Sequence, residues 1–208
     1  MDVDGDLWRH FGRSDGKIAA DECKIGFGWK TTRLIARARD IDKDGDDDLY
    51  AIDTTGVLRF NPDDRASELF TRAPTTVGHN HGGVNQLAVS PDLDSDTNPD
   101  LLLWHGDGRL TRASTTATGG IGPSTVLTVI DSTVYDTVLA PGDLTGNGLP
   151  DVLARTQSGD LYRYTRQTGG TLASPVKTST GWNILTTILT PGNIDGDLTQ
   201  HSDTSYRW

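Results

Sequence analysis

The chain has 208 residues, of which 34% are hydrophobic and 24 are glycine, and it carries a formal net charge of −10. Such acidity argues against a nucleic-acid backbone as partner, because binding one takes clustered Lys and Arg that release counterions. No apolar stretch of about 18 residues is present for membrane insertion and no signal peptide opens the chain, while the lone Cys23 excludes an intrachain disulfide and reads as a small half-buried residue.

In chain order, Gly5-Asp-Leu7-Trp8 comes first, so the chain opens as though inside a repeat, and a fragment or part of a larger ring is expected. Phe27-Gly28-Trp29 follows, then an apolar run at 34–38 that leads into Asp40-Ile-Asp42-Lys-Asp44-Gly-Asp46-Asp-Asp48. Residues 49–52 read as a strand leaving that loop. A turn at Gly56 gives way to a strand at 58–60, and a polar connection then leads to the next Gly-Trp-type strand. The succession recurs with entry strands at 86–90, 137–141 and 187–191, exit strands at 101–104 and 152–155, and a post-turn strand at 161–164.

The recurrence has a period. The loops at 40–48, 92–100, 143–151 and 193–201 begin 52, 51 and 50 residues apart, and Gly5, Gly56, Gly108 and Gly159 stand 51, 52 and 51 apart. Trp29 and Trp182 each precede their loop by eleven residues, where the middle repeats have His81 and Ser132. No helical stripe of about ten residues fits between such frequent turns. The expected fold is all-β: about four blades of four antiparallel strands, with 1–208 forming one β-propeller array.

The loops resemble those of the FG-GAP/VCBS repeat family, whose blades carry D-x-[DN]-x-[DN]-G-x-x-D between two strands. Phe27-Gly28, the 40–48 loop, Ala140-Pro141 and Leu149-Pro-Asp151-Val are the best matches. Thr97 replaces the loop glycine in the second repeat, Thr145 and Asn147 replace carboxylates in the third, and the fourth runs from Asn193 to His201. The resemblance implies a propeller that serves adhesion, lectin or accessory roles, an extracellular or cell-surface location, and usually seven blades. With four repeats, closure is expected from both termini, from a second copy, or as part of a longer ring.

Alternate carboxylates in a tight loop converge on one centre, and calcium takes six to eight hard oxygens. Asp40, Asp42, Asp44 and Asp48 with the Asp46 carbonyl are the expected Ca2+ ligands of the first loop. Asp92, Asp94, Asp96 and Asp100 with the Asn98 carbonyl are those of the second, and Asp143, Thr145, Asn147 and Asp151 those of the third. The plainer reading is that Asp, Asn and Gly simply favour turns. An EF-hand is excluded, since its twelfth position needs a bidentate Glu and here holds Ala51.

No nucleophile elbow, phosphate loop or His-Glu-x-x-His sequence occurs, so no enzyme is expected. His79-Asn-His81 offers only two ligands toward a zinc site. Among aromatics, Trp8, Trp29, Tyr162 and Trp182 are candidate glycan platforms, since sugars stack apolar C–H faces on flat rings. Trp29 and Trp182 read more readily as packing between blades, whereas Trp8 and Tyr162 are expected to be exposed. The expected function is lectin-like, calcium-stabilised carbohydrate recognition. Protein docking, a structural propeller or an accessory domain of a secreted enzyme are the alternatives.

Overall fold

The computed structural model describes residues 1–12, 18–63 and 70–188. These residues are all-β: fourteen strands and two short 3-10 turns, His81–Gly83 and Trp182–Ile184. Strands β1 (Leu7–Gly12) and β2 (Ile18–Gly26) form a two-stranded sheet. Three four-stranded sheets follow: β3 (Thr32–Arg39), β4 (Asp48–Asp53), β5 (Leu58–Asn61) and β6 (Thr75–Gly78); β7 (Val84–Ser90), β8 (Asp100–His105), β9 (Arg109–Thr115) and β10 (Ile121–Val129); and β11 (Tyr135–Gly142), β12 (Asp151–Thr156), β13 (Leu161–Tyr164) and β14 (Val176–Ser179). In each four-stranded sheet, sequence neighbours are spatial neighbours.

The period seen in the sequence is the period of these sheets. Ile35 pairs with Ala51, Leu87 with Leu103 and Leu139 with Leu153, so the first two strands keep one antiparallel register in all three sheets. Each Asp-rich loop spans the gap between first and second strand, and Asp48, Asp100 and Asp151 are the first residues of β4, β8 and β12. The second strands are almost wholly buried, which accounts for the unbroken apolar run Leu101-Leu-Leu-Trp104 rather than an alternating one.

The chain divides into two compact units. The first contains Met1–Gly82 and Thr116–Ile121. Its core includes Leu7, Trp29 and Ala51, with Ile25, Ile35, Leu49 and Phe70 packed against them. The second contains Gly83–Thr115 and, among its described residues, those from Gly122 to 188. There the β7–β10 and β11–β14 sheets share a core of Leu102, Trp104, Leu110, Ile130, Val138, Val152 and Tyr164. The Gln86 side chain joins their first strands, donating to the Asp136 carbonyl at 3.0 Å and accepting the Val138 N–H at 2.5 Å.

The repeated glycine is explained by a backbone contact. The carbonyls of Gly5, Gly56, Gly108 and Gly159 accept the N–H of Trp29, His81, Ile130 and Trp182 at 2.9, 2.9, 2.7 and 3.0 Å, fastening the turn before the third strand to the segment after the fourth. At Gly56 the φ is +82° and an added Cβ would lie 2.5 Å from the Gly82 nitrogen, so no other residue fits without displacement. The expectation of a Gly-Trp strand is corrected by this arrangement. Fourth strands end at Gly26 and Ser179, and Gly28-Trp29 and Gly181-Trp182 lie beyond them, in turns that the glycine carbonyl holds. In the third repeat the held residue is Ile130, not Ser132. The entry strand expected at 187–191 and the loop at 193–201 fall almost wholly outside the described residues.

Candidate functional site

Each described loop is built from its own carboxylates. The first residue draws the sixth inward: Gly45, Thr97 and Gly148 donate their N–H to Asp40, Asp92 and Asp143 at 3.1, 2.8 and 2.6 Å. Odd positions then form successive Asx turns. Asp42 accepts from Asp44, Asp44 from Asp46, Asp94 from Asp96 and Asp96 from Asn98, at 2.8–3.3 Å. Thr97 makes the turn without glycine at a φ of +75°, where Gly45 and Gly148 have +101° and +80°; a β-branched residue is strained there.

These turns collect oxygen atoms. The carboxylates of Asp40, Asp42 and Asp44 lie within 4.8 Å of one another, as do those of Asp92, Asp94 and Asp100. In the first loop, Asp46 Oδ2 is also buried without a hydrogen-bond partner. The donor set of both loops fits a hard divalent cation. The third loop differs. Asp143 takes four backbone N–H bonds from residues 145–148, and the Asn147 side-chain carbonyl accepts the Leu149 N–H. Its neutral side chains are satisfied internally.

The ninth residue has a role that the sequence does not disclose. Asp48, Asp100 and Asp151 are fully buried. Their Oδ2 atoms accept the N–H of the second loop residue, Ile41 at 2.8 Å, Leu93 at 2.5 Å and Leu144 at 3.0 Å. In Asp48 and Asp151 the other oxygen accepts the N–H of Asp63 and Arg166, just past the third strand, at 3.2 Å. This residue therefore braces the loop to the sheet. Burial pushes the Asp48 and Asp100 carboxyls up to about 6, against the opposing pull of these N–H bonds.

Arginines offset the clustered charge. Arg72 reaches Asp42, Asp44 and the Asp63 carbonyl at 3.0, 2.9 and 3.1 Å. Arg112 pairs with Asp94 and reaches Asp100 at 3.4 Å. Burial works to raise the Asp94 carboxyl, but the Ser114 hydroxyl and Arg112 outweigh it and hold it down to about 2. Neither arginine stands out in the sequence, because each lies 12 or more residues from its carboxylates.

The aromatic candidates separate. Trp8 is half-buried, donates its indole N–H to Asp2 at 2.8 Å and has Lys24 5.3 Å from its ring centre. Tyr162 is half-buried against the second core, edge-on to Tyr135 at 5.8 Å. Neither presents the open face expected of it. Trp182 is half-buried and bonds Ser179 at 2.8 Å, while Trp29 is buried, edge-on to Phe70 at 6.2 Å. Trp29 nevertheless lines a cavity of about 310 Å³ in the first unit, together with Phe27, Phe70, Asp53, Arg59 and Asn61. Phe27 is 66% exposed, and Arg59 donates to Asp53 at 2.6 Å. Phe27-Gly28 gave a sequence signal for one of these residues; the rest come together only through sheet register. The histidines of His79-Asn-His81 join no cluster of three ligands among the described residues. Compared with models of known protein families and with curated proteins, the chain matches none.

Proposed function

We propose that this chain is a non-catalytic recognition module of FG-GAP/VCBS type, its sheets serving as blades of a β-propeller outside the cell, with calcium held in the loops at 40–48 and 92–100. Calcium is supported by the two carboxylate clusters, each closed over by a tight turn. The ion would supply positive charge and draw the loop oxygens into a rigid cage; Asp40, Asp42 and Asp44 would hold it in the first loop and Asp92, Asp94 and Asp100 in the second, while Asp48 shapes its loop.

The ligand is a neutral or amine-bearing glycan. One observation carries this: the 310 Å³ cavity combines an exposed ring, Phe27, with the hydrogen-bonding groups of Asp53, Arg59 and Asn61. A sugar ring stacks on the first and bonds its hydroxyls to the second. A single stacked ring contributes about 1 kcal/mol, so one site is weak and multivalent ligands bind by avidity. On a glycan array the chain is expected to show saturable binding that Phe27→Ala lowers several-fold with the melting temperature unchanged. A blank array, with a captured protein partner instead, would replace this reading with protein docking.

A further inference from the structure

The second unit contains a cavity of about 260 Å³ whose lining includes Arg112, Arg166, Asp94, Ser95, Thr125 and Leu127. Arg166 is only 4% exposed, yet its Nε has no hydrogen-bond partner and one terminal nitrogen makes a single long contact, 3.4 Å to Ser95 Oγ. No described carboxylate pairs with it, unlike Arg112, which faces Asp94 and Asp100. A guanidinium stays protonated at any ordinary pH, so a buried one with unused donors needs an acceptor. Its backbone is fixed on both sides: the N–H donates to Asp151 and the carbonyl accepts from Asn147 at 3.4 Å. The charged group is thus held in place before any ligand arrives.

We propose that this cavity binds the carboxylate of a small acidic ligand, with Arg166 as the principal donor. The guanidinium fork matches a carboxylate in two parallel hydrogen bonds. Arg112 faces Asp94 and Asp100, so Arg166 is the lining's uncompensated charge, which a monoanion neutralises and a dianionic phosphate overshoots. The volume lies below the roughly 300–1,000 Å³ of drug-sized sites, so the ligand is of the size of one sugar acid or smaller. Thr125 is exposed on β10 and belongs to the lining.

The test is a calorimetric or NMR titration of the full chain with sodium acetate, sodium glucuronate and sodium phosphate, each at matched ionic strength against sodium chloride. Both carboxylates are expected to saturate, with acetate tighter than phosphate. Arg166→Gln weakens both at least tenfold. Thr125→Trp, which adds a bulky ring to the lining and leaves Arg166 in place, abolishes binding even if the Arg166 variant folds poorly. Phe27→Ala leaves glucuronate affinity unchanged, which separates this site from the glycan cavity of the first unit. Absence of saturation by either carboxylate, full affinity in Thr125→Trp, or phosphate binding tighter than acetate would overturn the assignment.

Discussion

Asp151 shows how one side chain ties three parts of a sheet together, since its buried carboxylate accepts N–H groups from its own loop and from beyond the third strand. Removing it leaves both donors without an acceptor, whereas Asn keeps one oxygen in place. Asp151→Ala is therefore expected to lower stability by about 2 kcal/mol or more and Asp151→Asn by roughly half that, read by urea unfolding. Equal losses would show that the charge, not the hydrogen-bond count, matters. Thr97 is the opposite case, a residue that opposes its own backbone at a φ of +75°. Thr97→Gly is expected to raise stability by about 1 kcal/mol, the strain relieved exceeding the entropy glycine adds to the unfolded chain. A destabilised variant would mean that the Thr97 side chain makes a contact worth more than the strain.

At the scale of the loop, the charge arrangement predicts a response to calcium. The first two loops gather three carboxylates each, and the arginines beside them, Arg72 and Arg112, only partly offset that charge. A cation bound only by the folded loops stabilises by mass action, about 2.7 kcal/mol at a concentration one hundred times its dissociation constant. The melting temperature is expected to rise with calcium and fall with chelator. Asp42→Ala and Asp94→Ala each reduce the rise, and Thr145→Ala in the self-satisfied third loop leaves it intact. A melting temperature indifferent to both calcium and chelator would remove calcium from the account. The loops, their glycines and the strands on either side were legible in the sequence because each repeats with one period and the buried second strands are continuously apolar. The ninth-position brace was not, since an aspartate that ligates and one that braces are the same letter. Fourth strands were placed at the Gly-Trp pairs instead of before them for a related reason: β10 and β14 are largely exposed, so no buried apolar run marks them. The cavity around Trp29 joins residues from three stretches of chain that no local pattern connects.

At the scale of the whole molecule, the question is what covers the faces and edges of the sheets. Within the second unit two sheets bury apolar faces against each other, and an array built this way exposes such a face wherever it stops. Sheet edges raise the same difficulty, because an unpaired strand offers its N–H and C=O groups to any other chain. Strand β1 occupies the place in its repeat that β5 and β13 occupy in theirs, since each follows the held glycine turn. But β5 and β13 have partners on both sides, and β1 pairs only with β2 among the described residues. If the sheets are propeller blades, the free side of β1 is covered in solution, by another part of this chain or by a second copy. Hydrogen exchange on the full chain is expected to find the β1 amides protected to a degree similar to those of β5 and β13. Sedimentation equilibrium then tells the two sources apart: a monomer with protected β1 amides has closed on itself, and a dimer has been completed by its partner. A stable monomer whose β1 amides exchange like those of an edge strand would be an open array, and the propeller reading would fall with it.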